Sequence, residues 1–136
     1  MVYHIGINVM KDILGAACSG LCMIHCVVLP TLAATGTSFL GVVYLTSDSA
    51  HLWLSAAMIA FAMLSFPSGW RKHSRVVPSL LASLGISLMT LGIYADESLE
   101  AYYAAAAGIS LIAGHLINRQ LLAAQAVTEL HMETPQ

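Results

Sequence analysis

Charge is what this sequence has least of. Five of its 136 residues are Lys or Arg and seven are Asp or Glu, so 9% of the chain is charged, against roughly 25% in an ordinary soluble domain. That is too little to solvate a globular surface. Five basic residues also fall far short of the electrostatic footprint of a nucleic-acid binder. There is no internal repeat and no low-complexity linker. No nucleophile elbow, phosphate loop or intramembrane carboxylate pair stands in the apolar stretches, so catalysis has little to rest on and the chain does not read as an enzyme. What is there is apolar: 58% of the residues. A membrane protein is the class that survives. A chain of 136 residues holds four helices of about 20 residues and short loops, and no second folded domain.

The few charges divide the chain. No Asp, Glu, Lys or Arg stands between Asp12 and Asp48, Asp48 and Arg71, Arg75 and Asp96, or Glu100 and Arg119. Each of these gaps can house one crossing of about 20 residues, the last only just, and backbone polar groups in lipid must be satisfied within a helix. The expectation is an all-α membrane protein, a four-transmembrane-helix bundle with spans at roughly 13–34, 50–68, 76–94 and 101–118. Residues 1–119 form that domain and residues 120–136 a cytoplasmic tail whose Ala, Leu and Gln content continues the helix. The run after Lys11 is longer than a signal-peptide core and reads as retained. Residues 35–47 form an outer loop whose apolar patch, 39–45, lies in the interface. Lys11, Arg71, Lys72, Arg75 and Arg119 all fall on one side of such a bundle, which the positive-inside rule makes the cytoplasm, so both termini are inside. Tyr44, Trp53, Tyr94, Tyr102 and Tyr103 near the outer boundary and Trp70 near the inner one agree.

All three cysteines, Cys18, Cys22 and Cys26, lie in the first span at successive i+4 steps, with His25 beside the last. At about 100° per residue they and the histidine fall on one face of the helix, about 100° wide. That face carries three thiols and an imidazole, a soft set suited to sulfur-seeking metals and poorly suited to Mg²⁺ or Ca²⁺. Any one cysteine alone reads as a small apolar packer. The clustering with a histidine at membrane depth turns the reading towards a functional site. His51 at the outer mouth and His115 near the inner end extend the set to a ladder of donors, although His51 reads equally well as an interfacial residue. His25 and His115 differ in depth by about 13 Å, which excludes a haem held between them. His73 reads as part of the cytoplasmic charge anchor. Met58, Met63 and Met89 read as core filler, because they share no helix face with the cysteines. Gly15 with Ser19, Ala16 with Gly20 and Ala104 with Gly108 are small pairs that let helices approach closely, as do Gly85, Gly92 and Gly114.

The run Asp12-x-x-Gly15, Ser19-x-x-Cys22-x-x-His25-Cys26 and then Pro30, with His51 opening the second span and Gly114-His115-Leu116-Ile117-Asn118-Arg119 closing the fourth, resembles the MerC family of mercury-resistance membrane proteins. The resemblance runs from Asp12 to Arg119. It implies a multi-pass protein of the bacterial inner membrane that carries mercuric ion inward, with Cys22 and Cys26 as ligands. Mercury-transporting members are expected to carry a further cytoplasmic cysteine pair. This tail has none, which leaves another thiophilic or borderline metal, Zn²⁺ or Cu⁺, open beside Hg²⁺.

The chemistry stands without the family. A thiolate in hydrocarbon is strongly disfavoured, so the thiols stay neutral until a metal binds. Two thiolates on a divalent ion release two protons and give a locally neutral adduct, which removes much of the cost of desolvating a bare ion. Pro30 cannot donate to the carbonyl of Cys26, freeing it and allowing a kink beside the cluster. The expected function is transport of a soft metal by thiolate exchange, with the metal as cargo and no permanently bound cofactor. The alternative is a non-transporting accessory subunit that packs on itself or on a larger membrane complex through its small-residue faces. A thiol oxidoreductase is the weakest option, because i+4 cysteines on an unbroken helix are displaced along its axis.

Overall fold

The computed structural model describes residues 2–35 and 48–133. Among them are four helices and no strand: α1 (Val2–Ala34), α2 (Asp48–His73), α3 (Val77–Ile93) and α4 (Glu97–Glu133). The expected interfacial patch at 39–45 lies outside the described residues. Helix ends do not follow the uncharged gaps. α1 starts at Val2, well before Asp12, and α4 continues to Glu133, as the Ala, Leu and Gln content of the tail leads one to expect. α1 also runs on through Pro30. Pro78 sits in the first turn of α3, where its missing N–H would have no helical partner in any case.

α4 is the axis of the fold. It packs along α1 on one side and α3 on the other, while α2 lies on α1 and touches α3 and α4. The packing follows from one spacing. Asn8, Asp12, Ser19, Cys22 and Cys26 are buried on α1, with Gly15 completing steps of three and four. On α4 the same steps give Ala107, Leu111, His115, Asn118 and Leu122. Stripes of this period interdigitate between helices at shallow crossing angles. Close approach requires glycine at particular points. A Cβ on Gly85 would stand 2.7 Å from Leu111 Cγ, and one on Gly108 would stand 3.0 Å from Met23 Cβ.

The distribution of polarity is inverted relative to a soluble protein. Asp12, Ser19, Ser65, His115 and Asn118 are among the most deeply buried side chains, whereas Leu14, Leu21, Leu64, Leu80, Leu84 and Ile109 face outward. Such a surface suits lipid rather than water. Two helices, over Gly6–Val28 and Leu52–His73, are long and apolar enough to cross a membrane, while Val77–Ile93 is apolar but has only 17 residues. The charge gaps lead one to expect a crossing in all four helices; among the described residues, two are long and apolar enough for one.

Candidate metal centre

The face of α1 predicted to carry the ligands does point inward, against α4 and α2. Cys22 and Cys26 are both buried, and their sulfurs lie 4.0 Å apart. They line a small cavity of about 30 Å³, large enough to hold water or an ion. Cys18, one turn further in, is half-buried, and its Sγ lies 3.9 Å from the carbonyl oxygen of Leu54 on α2, to which it donates. His25 is buried beside Cys26. Neither Cys18 nor His25 lines the cavity. His51 is carried on the first turn of α2, and its side chain lies outside the described residues. His115 stands elsewhere, about 10 Å further along α4 than Gly108, which does line the cavity. Of the five candidate residues whose side chains are described, two line the cavity, and Cys18 packs against the same cluster. Among the described residues no three His, Cys, Asp or Glu side chains gather round one point.

Two of the three methionines expected as core filler take that place. Met63 faces outward instead of filling the core. Met58 is fully buried against the cysteines, and Met89 packs on the same cluster. Both line the cavity of Cys22 and Cys26, joined by Met23, with Glu100 at the α3–α4 end. A search for one shared helix face could not find them, because they arrive from α2 and α3.

A second polar centre was missed altogether. Asp12 Oδ1 lies 3.0 Å from His115 Nδ1, and Asp12 Oδ2 accepts a 2.7 Å hydrogen bond from Asn118 Nδ2. Asn118 Oδ1 lies 2.8 Å from His73 Nε2, and His73 Nδ1 accepts from the backbone N–H of Arg75 at 3.0 Å. The two ends of this chain fix each other. Because His73 Nδ1 accepts, a neutral His73 carries its proton on Nε2 and donates it to Asn118, whose amide then has its N–H free for Asp12. Asp12 in turn accepts from His115 Nδ1, leaving His115 Nε2 as a buried nitrogen without a hydrogen-bond partner among the described residues. The Phe66 ring covers His115, with centroids 4.6 Å apart. Glycine makes room on both sides. A Cβ on Gly15 would overlap the His115 ring, and one on Gly69 would overlap the Asn118 amide.

His73 is thus part of a buried network rather than only a charge anchor. The signal for Asp12 was in the sequence: it shares the three-and-four spacing of Gly15, Ser19, Cys22 and Cys26. It was read as a boundary charge instead.

No curated protein and no solved structure matches the chain. A family model described as MerC mercury resistance protein matches residues 12–120, a stretch that begins at the carboxylate of the buried network and takes in both cavity cysteines, His115 and Asn118. That match covers most of the sequence, so the inward-facing thiols and the apolar exterior belong to a membrane protein of the MerC mercury-resistance family.

Proposed function

We propose that this protein carries mercuric ion, or another thiophilic ion such as Cu⁺ or Zn²⁺, into the cell across the bacterial inner membrane, by ligand exchange that starts at Cys22 and Cys26. One observation carries the reading: two buried thiols 4.0 Å apart on a small cavity. Two sulfurs each about 2.3 Å from a shared ion span a distance of this order. Loading a divalent ion converts both thiols to thiolates, releases two protons and leaves a neutral adduct in the apolar interior. Uptake therefore slows as pH falls, because protons compete for the sulfurs. His25 assists exchange, while Cys18, His51 and His115 are the further donors along the path. Four crossings with both ends in the cytoplasm, residues 1–119 forming the membrane domain, and no resident cofactor complete the proposal. Self-association through the small-residue helix faces fits it equally.

The test is uptake of Hg²⁺ into vesicles. Cys22→Ser or Cys26→Ser abolishes it while the protein stays folded and inserted, since serine keeps the size and loses the soft donor. His25→Ala impairs transfer less, and Cys18→Ser least. Uptake of Hg²⁺, Zn²⁺ and Cu⁺ that is unchanged in the Cys22→Ser, Cys26→Ser chain refutes the carrier and favours an accessory subunit.

A further inference from the structure

We propose that Met58 and Met89 cap the Cys22–Cys26 dithiolate with thioether sulfur, making a neutral, sulfur-only site that prefers soft ions to zinc. The inference rests on the reading that these cysteines bind metal. Three observations carry it further. With the sulfurs 4.0 Å apart, an ion bound to both at about 2.3 Å sees them at an angle of about 120°. That is a bent pair, which leaves one side of the ion open to a third donor. The cavity supplies that side with methionine. Met58 of α2 and Met89 of α3 line it together with the cysteines of α1, so sulfur-bearing side chains from three helices border one small space. Among its lining residues the other polar side chain is the carboxylate of Glu100, which is exposed to the outside of the fold.

Charge explains why the third donor is a thioether. The dithiolate of a divalent ion is already neutral. A third thiolate would leave a net negative complex in the apolar interior, where an uncompensated charge is costly. Thioether sulfur adds a soft lone pair and no charge. Zinc draws its ligands from Cys, His, Asp and Glu, so it gains little from such a cap.

The experiment uses the full chain in lipid nanodiscs, grown with selenomethionine and loaded with one equivalent of Hg²⁺. X-ray absorption at the mercury edge is expected to show sulfur neighbours together with selenium at bonding distance. The selenium is lost in the Met58→Leu, Met89→Leu chain, and the preference for Hg²⁺ over Zn²⁺ in competition falls by about tenfold, the lower end of what losing a supporting group costs a metal site. Leucine is close to methionine in volume, so packing is kept, and the decisive selenium signal is read on the unsubstituted sequence. Two sulfur neighbours and no selenium overturn the cap while leaving the dithiolate carrier in place. Selenium that persists in the double-leucine chain also overturns it. A mercury environment that is the same in the Cys22→Ser, Cys26→Ser chain sinks the underlying reading instead.

Discussion

At the scale of single residues, Asp12 decides how the inner half of the molecule is held. Its two carboxylate oxygens satisfy donors from His115 and Asn118, and all three side chains are buried. Removing the acceptor leaves two buried donors without partners, each worth about 1–3 kcal/mol. Asp12→Ala is therefore expected to destabilise the protein by about 3 kcal/mol, seen as a fall of roughly 10 °C in thermal unfolding in detergent. An unchanged midpoint would mean that the network is not formed. Histidine nitrogen NMR adds a reading that stability alone does not give. In the unsubstituted protein His115 is expected as the tautomer with the proton on Nδ1, and Asp12→Ala releases that preference. This arrangement was partly legible in the sequence. Asp12, Gly15 and His115 all belong to the family-like run, but one sequence shows spacing within a helix and not which helix answers it. The expectation that His73 belongs to the cytoplasmic charge anchor has the same cause.

At the scale of the helix, the charge gaps located all four elements, because an apolar run of sufficient length is helical whether or not its ends are known. The ends were legible in part: the Ala, Leu and Gln content of the tail points to the continuation of α4, whereas no signal in residues 2–11, rich in β-branched residues and with a glycine, marks the start of α1. The pairing of α1 with α4 follows from their matching stripes, and its tightest point is Gly15 against His115. This makes two alanine substitutions in the same helix opposite in sign. Alanine is the better helix former by about 1 kcal/mol. At Gly6, where an added Cβ meets nothing within 4 Å, Gly6→Ala is expected to be neutral or stabilising. At Gly15 the added methyl displaces the His115 ring from Asp12, and Gly15→Ala is expected to cost about 1–3 kcal/mol despite the propensity gain. Chemical denaturation of both variants beside the unsubstituted protein checks the contrast. Equal effects at the two positions would show that the helices do not meet as described.

At the scale of the whole molecule, the two polar centres lie towards opposite ends, and the five basic residues keep to the end away from Asp96, Glu97 and Glu100. The cavity of Cys22 and Cys26 reaches Gly92, Ile93 and Glu100, close to the turn that also carries Asp96. At the other end His73 and Asn118 bind one another between Lys72 and Arg119, and Gln125 Nε2 donates to the carbonyl of Lys72 at 3.0 Å. On the proposed reading an incoming cation meets the carboxylate of Glu100 beside the thiols, while the basic residues gather at the far end. A field of this sign raises the local concentration of cations at the acidic mouth. Basic flanks are retained on the cytoplasmic side, so the same asymmetry sets the orientation. A reporter active only in the periplasm, joined after Glu133, is expected to be silent, whereas one inserted after Ala95 is expected to be active. A fluorescent reporter that matures in the cytoplasm should give the reverse pattern. Periplasmic activity after Glu133 would place the thiol cavity nearer the cytoplasm, and the protein would then be oriented for export of the ion instead of its entry.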